Sequence, residues 1–497
     1  MARYVLASRR AGRFRDTEKE AAREAFDIAL ESMPDVDVVA DNDPPDPHAR
    51  RVAVFDSGPG EVAALASCLP ADVILEPEIL HWTDTNRPAE FIEAERATMQ
   101  GPVGTGLTVR VTVTGAGAPL PKANVILFLR GLGGLRREVA AATDAQGTVA
   151  LQHSPFWVPA ALVVVPAGGF WSVIERNVTG DDVLVCPPLP NDGPLGWWHH
   201  AFGIDRFSRT RGRSIRVGVI DTGTGPHPAL SHVKSVGAFV EGEFDPAGGA
   251  DVDAHGTHVA GIIGARPIEA GAYGGVAPGV HLLAARVFPP GEGANQADIA
   301  NAIDYLSKDE QVDLINMSLG SPRASQIERD AIQDALERGT LCVCAAANSA
   351  GPVEFPAAFP ETVAVSALGL LGWAPARSLA ATRPPEDAAR FGSDSLYLAN
   401  FSCFGPELAC AGPGVGIVST VPARHGLVGP YASMDGTSMA SPAVVGILAR
   451  LLSRDVPYRA LPRDQTRAET ARSILIRACI DVDLAPVFQG AGVPREA

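Results

Sequence analysis

The chain has 497 residues, of which 46% are hydrophobic and 20% charged, and its formal net charge is −16. At roughly 150 residues per domain, this length predicts about three domains with ample material for buried cores. The ordinary apolar fraction excludes intrinsic disorder. The excess of 57 acidic over 41 basic side chains argues against nucleic acid or an anionic membrane as the main partner.

No apolar run is long enough to span a bilayer, and the first ten residues lack the apolar core of a secretory signal. The seven cysteines are odd in number and scattered, which is typical of reduced thiols rather than of a disulfide scaffold. No CxxC pair is present, so a zinc site is not expected. We therefore expect a cytoplasmic protein with no membrane association.

Residues 1–82 form the first predicted domain, in which strands alternate with two helices. A capping-box pattern, Thr17-x-x-Glu20, opens the first helix. The second helix is expected over Glu61–Leu69. The four predicted strands are Tyr4–Ser8, Val36–Ala40, Val52–Phe55 and Val73–Leu75. Such an α+β unit is expected to be a small sheet with both helices on one face.

Residues 103–186 form the second predicted domain, where apolar residues alternate with polar ones. This period of two is typical of half-buried strands. The predicted strands are Leu107–Val113, Val125–Leu129, Val149–Leu151 and Leu162–Val165. Turn residues separate them, so the pattern predicts a small antiparallel β-sandwich.

Residues 196–497 form the third predicted domain, in which apolar strands alternate with helices. This order predicts an α/β fold, a parallel sheet with helices on both faces. The predicted strands are Ile215–Ile220, His281–Val287, Val312–Met317, Leu341–Ala346 and Val363–Ala367. The predicted helices are Ala297–Lys308, Gln326–Arg338, Ser441–Leu452 and Thr466–Ala478.

Three motifs in this last domain point to chemistry. Asp221 ends an apolar strand in Val219-Ile-Asp-Thr-Gly223, at the strand end where parallel sheets carry their sites, although Asp-x-Gly is also common in plain turns. His255 opens a helical run in His255-Gly-Thr-His258, which lacks the glutamate of a zinc-peptidase pair, so one histidine is expected to be structural. Ser438 begins a helix, where oxyanion stabilisation and simple capping are both possible roles.

The order of these residues along the chain separates the known serine-hydrolase layouts. All eleven histidines precede Ser438, which excludes the Ser–acid–His order of the α/β-hydrolases for this serine. The Gly-Asp-Ser-Gly-Gly element of the chymotrypsin layout is missing. The order Asp221, His255, Ser438 is that of the subtilisins.

From residue 196 to residue 492 the chain resembles the subtilisin-like serine peptidases of family S8, and its three motifs match that family nearly letter for letter. The resemblance implies the subtilisin-like sheet, with Asp221 as orienting acid, His255 as general base and acid, and Ser438 as nucleophile. Ala345-Ala-Ala-Asn348 is similar to the family's Ala-Ala-Gly-Asn segment, which makes Asn348 the oxyanion-hole donor. Ala347 stands where the family usually has glycine.

The resemblance also implies how substrates bind. Asn316-Met-Ser-Leu-Gly320 resembles the family's edge segment, which pairs with an extended substrate backbone. Ser318, Leu319, Gly320, Ala346 and Ala347 are the candidate substrate-binding residues. Protein or peptide substrates are therefore expected, with a leaning towards apolar residues at P1, the position before the scissile bond.

Calcium is bound in many subtilisins by a loop rich in asparagine after the histidine helix. The equivalent stretch here is Arg266–Tyr273, which holds a single carboxylate, Glu269. Because calcium takes six to eight oxygen ligands, we expect no calcium at this loop and no required cofactor. Calcium at another place in the chain stays possible.

The two preceding domains also have family resemblances. Residues 1–82 resemble the ferredoxin-like propeptide of inhibitor type I9, which implies that the chain's own N-terminal domain blocks the cleft of a precursor, or zymogen. Residues 103–186 resemble a carboxypeptidase-regulatory-like or Ig-like sandwich, notably at Thr143-Asp-Ala-Gln-Gly147. Two roles are equally open for this sandwich: it is a spacer, or it is an adaptor that binds a substrate or a partner.

Two other functions fit parts of the sequence. Asp56-Ser-Gly58 and Asp221-Thr-Gly223 resemble the twin loops of an aspartic protease, which share one proton between two carboxylates. This alternative gives no role to His255 or Ser438. A latent, non-catalytic binding protein is the second alternative, with the first 195 residues covering the cleft permanently.

Overall fold

A computed structural model describes residues 2–9, 24, 26–30, 37–42, 50–69, 72–83, 106–423 and 430–496. Most of the first predicted helix and all of residues 84–105 lie outside this described part. Three successive units of secondary structure follow one another along the described chain.

The N-terminal unit is a four-stranded antiparallel sheet with strand order β2-β3-β1-β4. Residues 26–30 are helical, and a longer helix begins at Pro59. A fifth short strand, which the sequence did not predict, follows the sheet and pairs with a segment of the C-terminal unit instead. The elements are β1 (Ala2–Ser8), β2 (Asp37–Asp41), β3 (Val52–Ser57), α1 (Pro59–Cys68), β4 (Val73–Pro77) and β5 (Leu80–His81).

Both faces of this sheet are buried, because successive side chains of a strand point to opposite faces. On one face Leu6 and Phe55 pack against Phe26 and Leu65 of the two helical segments. The other face packs against the C-terminal unit and forms one apolar cluster with it. Its members include Val5, Ala7, Val52 and Val54.

The second unit is a β-sandwich of two four-stranded sheets. One sheet has the order β10-β6-β13 with β7 beside β6, and the other has the order β12-β11-β8-β9. Strand β13 runs parallel to β6, so the sandwich is not wholly antiparallel as expected. Its strands are β6 (Leu107–Gly115), β7 (Ala118–Pro119), β8 (Asn124–Arg130), β9 (Arg136–Ala142), β10 (Thr148–His153), β11 (Val158–Val165), β12 (Val173–Glu175) and β13 (Asp181–Cys186).

The sandwich packs directly against the C-terminal unit. Leu379, in a loop of that unit, is buried against Phe128 and Val163 of the sandwich. Backbone bonds add to this contact, since Leu379 N–H donates to Ser172 O at 2.8 Å. The contact fixes the sandwich to this loop of the C-terminal unit.

The C-terminal unit is built on a nine-stranded sheet with the order β16-β15-β17-β14-β19-β20-β21-β22, and β23 also pairs with β21. Strands β16 and β22 run antiparallel to their neighbours, so the sheet is mixed rather than wholly parallel as expected. The sheet strands are β14 (Arg216–Asp221), β15 (Lys234–Val240), β16 (Glu243–Asp245), β17 (His281–Arg286), β19 (Leu314–Met317), β20 (Leu341–Ala345), β21 (Val363–Leu370), β22 (Leu396–Leu398) and β23 (Leu408–Pro413).

Helices and short strand pairs complete this unit. The helices are α2 (Trp197–Ala201), α3 (His255–Gly264), α4 (Gln296–Asp304), α5 (Gln326–Glu337), α6 (Thr437–Arg454), α7 (Val456–Ala460), α8 (Gln465–Ala478) and α9 (Pro486–Gln489). The short strands are β18 (Ala294–Asn295), β24 (Ile417–Thr420), β25 (Tyr431–Met434), β26 (Cys479–Ile480) and β27 (Val493–Pro494). Among the described residues, no helix combines the length and apolar character needed to cross a bilayer.

Candidate active site

Asp221 and His255 meet where a strand ends and a helix begins. Asp221 is the last residue of β14, and His255 is the first residue of α3. Nδ1 of His255 lies 2.7 Å from Oδ1 of Asp221, and both side chains are buried. The same oxygen accepts the N–H of Thr222 at 2.7 Å. Asp221 is thus placed to orient the imidazole and to stabilise positive charge on it.

The surroundings of His255 favour its charged form. Burial by itself lowers the pKa of His255, but the Asp221 carboxylate, with Asp253 and Asp251 further away, raises it above the ordinary 6.5. Its Nε2 is buried and has no hydrogen-bond partner within the described part of the chain. This nitrogen is therefore available to accept a proton.

Ser438 lies in the first turn of α6, and its side chain is buried. Its hydroxyl donates to the carbonyl of Ser318 at 3.3 Å, and the Ser318 hydroxyl donates to the carbonyl of Ser438 at 2.9 Å. The Ser438 hydroxyl therefore makes no hydrogen bond to His255 in this structure. The free N–H groups of a helix start favour negative charge beside this serine.

Asn348 is held against the residue before Ser438. Its Oδ1 accepts the backbone N–H of Thr437 at 2.9 Å and the Thr437 hydroxyl at 3.0 Å. Because the amide oxygen is engaged by Thr437, the amide nitrogen of Asn348 points away from it. These two bonds place the Asn348 amide at the start of the same helix that carries Ser438.

The predicted substrate edge is occupied by the N-terminal unit. Trp82 and Gly320 exchange two backbone hydrogen bonds of 3.0 Å in antiparallel register. On the other side, β5 pairs antiparallel with β18, so the chain leaving the N-terminal sheet runs between two segments of the C-terminal unit. Gln296 adds a side-chain bond, since its Oε1 accepts the N–H of Ile79 at 2.8 Å.

The remaining candidate substrate-binding residues have different surroundings. The side chain of Leu319 is buried in the apolar core, so this residue can offer only its backbone to a peptide. Ala346 is also fully buried, and its carbonyl accepts the N–H of Glu354 at 3.2 Å. Ala347 has φ +82°, a left-handed conformation that favours glycine. The family's usual glycine at this position thus has a conformational reason.

His258 has a structural environment. Its Nε2 lies 3.1 Å from the carbonyl oxygens of both Ile417 and Ala432. Burial lowers the pKa of His258 to about 3, so the ring is neutral. This agrees with the expectation that one histidine of the motif is structural.

Asp56, the second aspartate of the aspartic-protease alternative, lies on another sheet from Asp221. Its carboxylate forms an ion pair with Arg3, on the neighbouring strand β1, at 3.3 Å. Asp56 and Asp221 therefore belong to separate sheets with separate partners, and the twin-loop arrangement has no support here.

No group of three or more His, Cys, Asp or Glu side chains is placed to hold a metal ion in the described ranges. Tyr273, at the end of the loop expected to lack calcium, hydrogen-bonds Asp192. The six cysteines with described side chains are free, and five of them are buried.

Two supporting residues, Thr222 and Asp251, were not singled out from the sequence. The Thr222 hydroxyl donates to Asp251 at 2.8 Å and accepts the N–H of Gly256 at 2.8 Å. Asp251 also accepts the backbone N–H of Ala254 at 2.9 Å. These bonds brace the start of α3 beside His255. The Ser318 hydroxyl braces the backbone of Ser438, a role that the sequence did not indicate for this candidate substrate-binding residue.

The class of protein is defined by comparison with known sequences. Residues 212–492 match the family model described as the subtilase family, peptidase S8. The chain is 34% identical to subtilisin DY of Bacillus licheniformis over 266 residues, which cover 52% of this chain and 82% of that protein. It is 32% identical to the major intracellular serine protease of Bacillus subtilis (strain 168) over 295 residues, 57% of this chain and 81% of that one.

A third relative, subtilisin NAT of Bacillus subtilis subsp. natto, is 34% identical over 249 residues, 49% of this chain and 56% of that protein. The chain belongs to the subtilase family. It is a subtilisin-like serine endopeptidase, a hydrolase with the α/β fold and mixed sheet of that family. The expected enzyme class and family are thereby confirmed, and protein or peptide substrates follow from the class.

Proposed function

We propose that this endopeptidase works through the triad Asp221, His255 and Ser438. The observation that carries the proposal is the 2.7 Å contact between His255 Nδ1 and Asp221. It leaves Nε2 of His255 without a partner among the described residues, ready for the proton of the nucleophile. Rotation of the Ser438 side chain about its Cα–Cβ bond, away from Ser318, is the rearrangement that the reaction needs.

In the proposed reaction the Ser438 oxygen attacks the scissile carbonyl while His255 takes the hydroxyl proton. The resulting oxyanion is stabilised by Asn348 and by the N–H of Ser438. His255 then gives its proton to the leaving amine, and an acyl-enzyme forms. Water hydrolyses this intermediate with His255 again acting as base. No step uses a metal ion or another cofactor.

The N-terminal unit acts in this proposal as an inhibitor-I9-like, ferredoxin-like propeptide of a self-inhibited precursor. The two hydrogen bonds between Trp82 and Gly320 support this role, because they use the backbone groups that an extended substrate needs. Trp82 pairs with Gly320 in antiparallel register, and Ser318, two residues before Gly320, accepts the Ser438 hydroxyl, so the paired segment lies close to the proposed nucleophile.

The sandwich of residues 106–186 fits the carboxypeptidase-regulatory-like or Ig-like type and serves as spacer or adaptor. The adaptor role is favoured by two apolar side chains at its end, Leu132 and Phe156, which are 87% and 81% exposed. The free cysteines support a cytoplasmic location. Recovery of the processed chain from culture medium would overturn that location.

One experiment tests both the triad and the precursor. Wild type and Ser438→Ala are incubated with a serine-directed phosphonate, with pepstatin and with fluorogenic peptides, while the mass of each chain is followed. We expect phosphonate labelling, pepstatin-insensitive cleavage and a mass drop of about one domain in the wild type only. An unchanged mass with no labelling and no cleavage in either protein supports the latent binding protein instead.

A further inference from the structure

An open cavity lies on the C-terminal unit, at the end of α6 opposite Ser438. Its volume is about 570 Å³, and its walls come from the segment 206–214 before β14, the last turn of α6 and helix α7. Ser438 and Arg454 lie near the two ends of α6, which at about 1.5 Å per residue places them about 24 Å apart. A cavity of several hundred cubic ångströms is large enough for a small ligand. It is therefore a place for a ligand of its own, remote from the proposed triad.

The lining of this cavity is strongly basic. The ten described residues that line it include five arginines and four residues with a hydroxyl group, and none of the ten is acidic. Because the whole chain carries a net charge of −16, this concentration of positive charge is local and attracts anions to the cavity. The five arginines are Arg206, Arg211, Arg213, Arg454 and Arg459.

Two of these arginines share one carboxylate with a third, buried arginine. Arg211 lies 3.7 Å and Arg454 lies 2.9 Å from the carboxylate of Glu496. Nε of Arg450 donates to the same carboxylate at 2.8 Å. Burial lowers the pKa of Arg450, Glu496 raises it, and the charges of Arg211 and Arg454 lower it again. One carboxylate thus serves three guanidinium groups, which leaves positive charge in excess.

The other three arginines, Arg206, Arg213 and Arg459, are exposed. Their side chains have no hydrogen-bond or ion-pair partner among the residues that the structure describes. Their guanidinium groups are therefore available to an added anion without breaking a described contact.

Two aspartates adjoin the cavity in sequence, but neither lines it. Asp205 lies 3.7 Å from Nδ1 of His200, with its side chain 88% exposed. Asp455 caps α7, where its carboxylate accepts the N–H of Tyr458 at 2.8 Å. These carboxylates have other neighbours, so the lining keeps its positive charge.

We propose that this cavity binds a small anion that carries several phosphate groups. Guanidinium groups donate paired hydrogen bonds to phosphate oxygens, and a terminal phosphate presents three acceptor oxygens in different directions. Arginines from three separate segments can therefore hold adjoining phosphates from several sides, with the hydroxyl groups as further donors. The negative charge of the chain as a whole opposes a long nucleic acid or an anionic membrane, which favours a small ligand. The proposal does not depend on the triad.

The test is calorimetric titration of the full chain, in the Ser438→Ala background, with inorganic tripolyphosphate as the probe. The cavity variant is Arg206→Gln/Arg213→Gln, which removes two guanidinium groups that have no described partner. The matched control is Arg377→Gln/Arg477→Gln, which removes the same charge at two exposed arginines outside the cavity. Equal thermal unfolding midpoints of the three chains without the probe show that both variants are folded.

We expect the parent and the control variant to bind one tripolyphosphate per chain, and the cavity variant to bind it at least about tenfold more weakly. Added salt weakens the binding, since the arginines are exposed. Citrate, which carries carboxylates instead of phosphates, is expected to bind the parent more weakly than tripolyphosphate. The parent is also expected to stay in solution with vesicles that contain phosphatidylinositol 4,5-bisphosphate.

Each part of the proposal has its own contrary result. A parent that does not bind tripolyphosphate, or equal affinities of the cavity and control variants, overturns the site. Citrate binding as tight as that of tripolyphosphate overturns phosphate as the ligand class. Sedimentation of the parent with the vesicles, lost in the cavity variant, overturns a free ligand in favour of a lipid headgroup.

Discussion

The guanidinium of Arg50, on the N-terminal unit, lies 2.6 Å from the carboxylate of Asp334 on helix α5, and both side chains are buried. The same guanidinium lies 3.0 Å from Asp304 on α4. Coulombic attraction to Asp304 and Asp334 offsets the strong lowering of its pKa by burial, so the pKa of Arg50 stays above its ordinary value. One cation thus ties the N-terminal unit to two helices of the catalytic domain.

Replacing this cation is expected to loosen the N-terminal unit. Arg50→Ala leaves Asp334 buried without this partner, and breaking a buried pair in this way costs about 3–5 kcal/mol. In a Ser438→Ala background, which prevents self-digestion, we expect the N-terminal unit of Arg50→Ala to be cut much faster by added trypsin. The measurement is the rate of loss of the N-terminal unit in a gel or mass spectrum.

Arg110→Ala is the control for this experiment. Arg110 and Asp181 form an exposed pair in the sandwich, 3.9 Å apart with side chains 72% and 80% exposed. Such pairs contribute little to stability, so trypsin resistance is expected to stay at the level of the parent. Equal cleavage rates for the Arg50 and Arg110 variants contradict a role of Arg50 in docking.

Asn348→Ala is expected to lower kcat by about 10²–10³ with little change in KM, because the lost donor acts on charge that develops in the transition state. Asn348→Asp keeps the acceptor for Thr437 but has no amide N–H, so an equal or larger loss is expected. Steady-state kinetics on one peptide check both variants. Asn177→Ala, at an exposed position of the sandwich, is the control. A kcat within threefold of wild type in Asn348→Ala rules out the oxyanion role.

The acidic limb of the pH profile depends on His255, which must be neutral to accept a proton. Since neighbouring carboxylates raise its pKa above 6.5, activity is lost as pH falls through this raised value. Asp253→Asn removes one of these negative charges, so the limb of log kcat/KM is expected to move to lower pH. The shift is less than about one unit, because Asp253 is exposed and solvent screens it.

Raising the salt concentration is expected to shrink this difference between wild type and Asp253→Asn. Asp205→Asn is the control, because the Asp205 side chain is 88% exposed and lies on the loop after α2. A shift of the limb to higher pH in Asp253→Asn has the wrong sign and disproves the assigned cause.

Local patterns made much of this molecule predictable from its sequence. Asp221 ends an apolar strand and His255 starts a helix. Each of these signals is contained in a stretch of about ten residues around the side chain concerned. The predicted strand Ile215–Ile220 and the observed Arg216–Asp221 differ by one residue at each end. Helix α6 begins at Thr437, four residues before its predicted start at Ser441, so Ser438 lies in its first turn.

Contacts between distant segments were not predictable in this way. The pairing of Trp82 with Gly320 and of Arg50 with Asp334 joins residues more than 230 positions apart. Strand β3 has apolar residues on both faces, which indicates that both faces are buried. The pattern does not indicate that the second face packs against another domain. The parallel pairing of β13 with β6 likewise depends on the path of the chain between them.

Ala347 offers a test of backbone strain beside Asn348. Ala347 has φ +82°, a backbone conformation that disfavours residues with a Cβ atom. Ala347→Gly is therefore expected to raise the free energy of unfolding by about 1 kcal/mol. The neighbouring Ala346→Gly is the matched control, because Ala346 has no positive φ and is fully buried.

At position 346 the same substitution adds flexibility without relieving strain, so a loss of about 1 kcal/mol is expected. Thermal unfolding of both variants in the Ser438→Ala background checks the opposite signs, free of self-digestion. Shifts of the same sign at the two positions contradict the strain at Ala347.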